Sequence, residues 1–406
     1  MLRAPRCVLR FMRILYLASG IPVPGALGGS THTYEVARGL ARLGHEVHLV
    51  CASHEGWAGL APFARPVSSL HDGFHLHQQD VPKAMALLGL WPVLRLARAI
   101  QPDVIIERYY NFAGCGVIAA RCMGLPYLLE VNALIIDPPQ VRKRRIDDAL
   151  GGPLRRWATA QCRWAARIVT PLHTTVPPEI PREKIVELPW GADVERFTTI
   201  ADCRLQIAEP QSAICNLQSA IFLGSFRTWH GVLDFVRAGL RLVEQGRAVR
   251  FVLVGDGPER AAAEALAATA RDHFEFTGAV PYDRIPALLA EAAIGVAPFV
   301  TAPHPALRAA GFFWSPLKIF EYMAAGLPVV TPDIAPLNQI IGHGREGLLY
   351  PEGNVAALAE AIGHLLDDPQ AAQAMGRSAR ARVVAHYSWQ RHCAALDSLL
   401  REMVEA

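Results

Sequence analysis

Short apolar runs separated by helical patterns recur along the chain, and this alternation dictates a parallel sheet with helices on both faces. In the first half the runs are 14–18, 46–51, 103–106 and 127–131. Between the first two, 22–29 is turn-rich and 31–43 has helical spacing, with Tyr34, Ala37, Leu40 and Ala41 on one side and Gly44 as the stop. The pattern lapses over 198–219, which reads as a linker with two isolated cysteines and a proline. It then restarts at 220–223, 250–254, 274–277, 294–297 and 328–331. Running through the pattern twice predicts two doubly wound, Rossmann-like α/β domains. Such sheets bind ligands outside the carboxyl ends of their strands, so two facing domains predict a cleft between them.

Composition narrows the function. Apolar residues make up 51% of the 406, charged residues 19%, and the formal charge is +3. Global disorder is excluded, and a bulk nucleic-acid binder would show a strong basic excess. The average hides an asymmetry: residues 1–200 carry 23 basic and 16 acidic side chains (+7), and 201–406 carry 17 and 21 (−4). A mean hydropathy of +0.19 requires a test for membrane spans. The stretches 84–94, 14–34 and 210–226 are too short, or too broken by Pro, Gly and polar residues, to qualify. The basic start does not read as a signal peptide, and Met12 stands directly before the first strand. Eight scattered cysteines without a CxxC pair fit a reducing compartment, and so a cytoplasmic location, better than a disulfide or zinc framework.

The most informative stretch is SPLKIFEYMAAGLPVV, 315–330. Ser315 is expected as an N-cap, Pro316 suits the first helical position, and Gly326 ends the helix. The exposed start of such a helix can receive a diphosphate. Glu321, about one and a half turns inside, can accept hydrogen bonds from two ribose hydroxyls.

This segment resembles the donor-binding motif of family 4 glycosyltransferases, retaining enzymes of the GT-B fold. Further landmarks follow in the family's order: GALGGSTHTYEVARGLARLGHEVHLV (25–50), LPWGADVERF (188–197), FLGSFRTWHG (222–231), VLVGDGPER (252–260), FTGAVPYDRIPALLAEA (276–292) and GREGLLYPEGN (344–354). The resemblance implies an acceptor-side domain over 1–197, a nucleotide-sugar domain over 198–387, and a helix over 388–406 that crosses back to the first. It implies a nucleotide-sugar donor and a glycan or lipid-linked acceptor in bacterial cell-surface polysaccharide or glycolipid assembly. Donor contacts fall to Glu321 on the ribose, to Ser315, Pro316, Leu317 and Lys318 at the diphosphate, to Gly224 and Val280, and to Gly28 and Gly29 from the first domain. Glycines at the last two let the backbone approach the phosphates.

Negative charge develops on the leaving diphosphate, so catalysis needs cations there. The family's usual Arg and Lys are replaced by Ser225 and His230, which leaves Arg227, His230 and Lys318 as candidates. The first carboxylate of the family's Glu-x7-Glu pattern is Phe313 here, and the histidine after the strand YLLEVNA is Asn132. Glu130 and Asn132 point the same way if the strand persists, and can meet sugar hydroxyls or polarise the acceptor. No Asp-x-Asp site occurs and the fold works without metal, so no metal or cofactor is expected beyond the co-substrate. Two other readings stay open on the same residues: a nucleotide-sugar epimerase, and a non-catalytic nucleotide-sugar-binding homologue.

The first-half charge concentrates between Arg142 and Arg167. An ordinary helix with buried Trp157 and Trp164 and a solvated basic face is the favoured reading. The other is peripheral contact with an anionic membrane at its inner face. The HDGFHLH segment clusters His71, His75 and His77, but its spacing matches none of the usual zinc patterns. Donor base, sugar, acceptor and oligomeric state are not legible.

Overall fold

In the computed structural model, residues 11–25, 27–53, 66–198 and 218–406 are described. The chain divides into two units, Met1–Pro189 with Gln390–Ala406, and Trp190–Trp389. The expected linker over 198–219 lies almost wholly outside the described residues.

The first unit is built on an eight-stranded sheet. Its strands are β1 (Arg13–Pro22), β2 (Glu46–Ala52), β3 (Val67–His71), β4 (Phe74–Gln78), β5 (Val104–Arg108), β6 (Tyr127–Glu130), β7 (Arg167–Thr170) and β8 (Ile185–Glu187). Their spatial order is β3-β4-β2-β1-β5-β6-β7-β8. All pairings are parallel except β3 with β4. That hairpin turns on Asp72 and Gly73, with φ of +44° and +89°, the left-handed pair a tight hairpin requires. Helix α1 (Gly28–Arg42) follows β1 and begins earlier than its periodicity predicts, taking in the glycine pair. Helices α2 (Arg142–Ala149) and α3 (Pro153–Trp164) carry the basic segment.

The second unit holds β9 (Ser219–Leu223), β10 (Arg250–Val254), β11 (Phe274–Gly278), β12 (Ile294–Val296), β13 (Val329–Pro332) and β14 (Gly347–Tyr350), all parallel. The order is β11-β10-β9-β12-β13-β14. Strand residues alternate between two cores: Ala220 and Phe222 join Phe235 and Phe251 on one face, while Ile221 joins Phe320 and Met323 of helix α4 (Leu317–Ala324) on the other.

The segment 190–197 packs with the second unit. Ala192 N–H donates to Tyr387 O (2.9 Å), Trp389 N–H donates to Ala192 O (3.1 Å), and a side chain on Gly191 would meet Ser388 at 2.4 Å. The final helix, α5 (Trp389–Glu405), sends its body to the first unit. There Cys393 Sγ occupies the space where Gly39 has no side chain, and His392 Nδ1 donates to Pro189 O (2.9 Å). No helix among the described residues is long and apolar enough to cross a membrane.

Candidate functional site

In a doubly wound sheet the crevice opens where the strand order reverses. In the second unit this falls between β9 and β12, which pair only through Ala220–Ile294 and Ile221–Gly295. Beyond that point the Tyr322 hydroxyl stands between the strands, accepting from Leu223 N–H (2.7 Å) and donating to Val296 O (3.3 Å). Gly295 makes this arrangement fit, because a Cβ there would lie 2.4 Å from the tyrosine ring.

Lys318 and Glu321 sit on the same helix, 8% and 3% exposed. The Lys318 ammonium has no hydrogen-bond partner among the described residues; it lies over the rings of Phe222 (4.3 Å) and Phe299 (4.9 Å). Burial pushes its pKa down to about 7, against the pull of Glu321. Glu321 is pushed up to about 7 by burial, opposed by a hydrogen bond from Tyr282 and by the charges of Lys318 and Arg196. Its Oε1 has no partner among the described residues. Gly224, at φ +139°, follows β9, and a Cβ there would lie 2.8 Å from Lys318 Nζ and 3.5 Å from His230 Nδ1. The gap beside this ammonium therefore depends on a glycine.

His230 Nδ1 lies 2.7 Å from Ser225 O, which can only accept, so that nitrogen carries the proton. In the neutral ring Nε2 is then an acceptor; it donates to a phosphate only when the ring is protonated. Burial, Lys318 and Arg227 hold the His230 pKa well below its usual value. Arg227 is exposed, its guanidinium 5.4 Å from the Trp229 ring centroid.

Ser315 does not cap the helix. The cap position is Pro316, without a side-chain cap bond, and Ser315 Oγ instead accepts from Trp190 N–H (2.9 Å). Leu317 N–H donates back to Ser315 O (3.1 Å), while Lys318 N–H has no backbone acceptor among the described residues. Phe313 is buried against Trp314 (ring centroids 5.1 Å apart), so it serves the core. Val280 lies half-buried beside Tyr282, over which the Arg196 guanidinium stacks at 4.7 Å. Tyr282 and Arg196 are residues the sequence did not single out; both lie within motifs it did.

In the first unit the reversal falls between β1 and β5. Gly28 and Gly29 form the first turn of α1 with ordinary φ, and a Cβ on Gly29 would meet Arg108 Nη2 at 3.5 Å. Glu130 and Asn132 do come together, but the carboxylate is engaged on several sides. It accepts from Tyr16 Oη (2.6 Å), Arg108 Nη1 (3.3 Å) and Asn132 Nδ2, and His32 Nδ1 lies 3.3 Å away. The expectation that Glu130 faces sugar or acceptor thus meets a carboxylate already held by protein. His32 and Arg108, joined at 2.8 Å, are further residues that linear reading missed.

Three of the cations between Arg142 and Arg167 are paired at short range. Arg144 pairs with Asp148 (3.1 Å), Arg155 with Asp147 (3.1 Å) and Asp148 (2.5 Å), and Lys143 with Asp137. Trp157 donates to Ala113 O (2.8 Å), whereas Trp164 is 42% exposed with Arg121 over its ring.

Two Rossmann-like units, each with a crevice where its strand order reverses, define the GT-B class of glycosyltransferases. The chain resembles sucrose-phosphate synthase from Thermosynechococcus elongatus with a TM-score of 0.72 at 18% identity, over 97% of this chain and 99% of that one. Anabaena HepE in complex with UDP gives 0.68 at 18% identity, over 96% and 100%. Within that class the chain belongs to glycosyltransferase family 4: residues 27–196 match Glycosyltransferase Family 4, and 218–368 match Glycosyl transferases group 1. Among curated relatives, the alpha-D-kanosaminyltransferase of Streptomyces kanamyceticus is 24% identical over 80% of this chain and 86% of its own length. The glycogen synthase of Mycobacterium tuberculosis (strain H37Rv) is 26% identical over 93% and 92%.

Proposed function

We propose that this glycosyltransferase moves a sugar from a nucleotide-diphosphate sugar to an acceptor hydroxyl with retention of configuration, using its own cations to stabilise the leaving group. The observation that carries this is the buried Lys318 ammonium, without an acceptor among the described residues and set beside Gly224 at the strand reversal. A buried ammonium without a hydrogen-bond acceptor is costly unless something arrives to accept from it, and a diphosphate fits. The free Lys318 N–H at the start of α4 adds to the same site. Glu321 Oε1 awaits a donor, which a ribose hydroxyl supplies.

In the reaction the anomeric carbon–phosphate oxygen bond breaks while the acceptor oxygen bonds to the same face. The departing phosphate oxygen takes the acceptor proton. Such a step asks the protein for positioning and counter-charge, not for a nucleophile. The saturated Glu130 suits it as a holder of Arg108 and Asn132. Negative charge arriving beside His230 raises its proton affinity, so donor binding draws a proton onto Nε2 and turns that acceptor into a donor. Relatives include enzymes whose names cite glycogen and phosphatidylinositol monomannoside, which fits polysaccharide or glycolipid assembly on the cytoplasmic side.

The test is a thermal-shift panel of UDP-, GDP- and ADP-sugars. One donor class should raise Tm in the wild type and not in Lys318→Met, since a ligand at about 100 Kd adds about 2.7 kcal/mol. No shift with any nucleotide, or an equal shift in the variant, would overturn the assignment. The burial of Phe313 in place of a carboxylate favours one other reading, a non-catalytic binder. It predicts a nucleotide shift with neither transfer nor donor hydrolysis.

A further inference from the structure

The histidines of the β3–β4 hairpin do not group as their sequence order suggests. His71 pairs with its neighbour Asp72 (3.5 Å), and its place is taken by His48 on the adjacent parallel strand. Register sets His48 opposite His75, and Glu46, two residues before His48, lies on the same face. Each of Glu46, His48 and His75 offers one ligand atom, and these atoms lie within 4.8 Å of one another. We propose that Glu46, His48 and His75 bind a divalent transition-metal ion of the zinc type, with water in the fourth position, at a site separate from the nucleotide crevice.

Two imidazole nitrogens and one carboxylate oxygen form a donor set that suits zinc. His48 Nε2 and Glu46 Oε1 are already 2.9 Å apart, close to the separation of two ligands on a tetrahedral ion. The His75 ring stacks on His48 at 4.6 Å and makes no hydrogen bond among the described residues. Stacked rings cannot share an ion, so His75 must turn out of the stack, which its half-buried setting permits.

The second nitrogen of His48 is also provided for. His48 Nδ1 lies 3.0 Å from His77 Nε2, and His77 Nδ1 lies 2.8 Å from Ser68 Oγ. With metal on Nε2, His48 donates from Nδ1 to His77, which donates in turn to Ser68. Metal-bound histidines ordinarily have such an outer partner. Arg13 bonds the other carboxylate oxygen, Glu46 Oε2 (3.3 Å), which leaves Oε1 to the ion and makes the site weaker than an uncontested one.

The full chain, stripped with chelator and free of affinity tags, would be titrated with Zn2+ by calorimetry and with Co2+ by visible absorption. One equivalent should bind, with the intense visible bands of four-coordinate Co2+ and a higher Tm. His75→Ala and Glu46→Gln should abolish that uptake, and Ser68→Ala should weaken it about tenfold, each with an unchanged metal-free melt. Absence of saturable uptake in the wild type, or uptake unaltered in both ligand variants, would overturn the proposal.

Discussion

The two strand reversals of this molecule have the same topology and opposite electrostatics. In the first unit, the crevice between β1 and β5 is filled from within: Arg108 and Glu130 meet each other and are held by Tyr16, His32 and Asn132. Beside it, buried Glu107 accepts from Gly114 N–H (2.9 Å), Val117 N–H (3.1 Å) and Tyr127 Oη (2.9 Å). In the second unit, the crevice between β9 and β12 holds Lys318 Nζ and Glu321 Oε1 without hydrogen-bond partners among the described residues. A buried charge satisfied by protein supports a structure; one left unsatisfied marks where a ligand completes it. That contrast supports the proposal that the donor binds in the second unit.

The largest test of this contrast lies in the first unit. Glu130→Ala strands the Arg108 guanidinium, and breaking a buried pair from one side costs about 3–5 kcal/mol. Denaturant melts should show that loss, with nucleotide affinity in the surviving folded fraction nearly intact. The matching change in the second unit, Lys318→Met, should leave the melt unchanged or raise it, because it removes an unpaired charge. Nucleotide affinity should fall about 10- to 100-fold, the scale of a hydrogen bond to a charged group. If these outcomes were exchanged, the distinction between supporting and binding charges would fail.

Titration sharpens it further. The free Lys318 titrates at about 7 and a diphosphate favours its cation, so wild-type nucleotide affinity should fall as pH rises through 7. In Lys318→Met that alkaline limb should vanish from calorimetric titrations. Acid should act on the other unit. Burial holds His392 and His77 near pKa 4, and His32 well below its usual value. These groups are neutral in the fold and take up protons on unfolding. Their stabilisation is therefore complete above about pH 6.5 and is lost progressively as pH falls toward 4. In the second unit His230 shows such a shift. Hydrogen exchange at pH 5 should thus accelerate in β1, β2 and β4 before β9 and β10. The smallest effect is expected of Arg227→Ala: an exposed cation is worth up to about 1 kcal/mol, so kcat should fall by roughly fivefold or less.

Much of the fold was legible because buried parallel strands are nearly continuous apolar runs, as in 14–18 and 250–254. The hairpin of β3 and β4 was not, since SSL and HLHQ carry too little apolar signal. The signature helix could be read from its own residues, but its cap could not. Ser315 is a sound N-cap by type; a backbone N–H from Trp190, far upstream, takes its hydroxyl. Glu130 shows the same limit: Tyr16, His32 and Arg108 come from β1, α1 and β5, and no local pattern announces that they will occupy one carboxylate.

Tyr322 gives the second crevice a further property. Its hydroxyl substitutes for the ladder bonds that β9 and β12 would otherwise make to each other at Leu223 and Val296. The strands are held apart by a rigid phenol ring, so an arriving donor need not part them. The reorganisation has been completed during folding, and the contact energy of the diphosphate can appear as affinity instead of being consumed in opening the sheet.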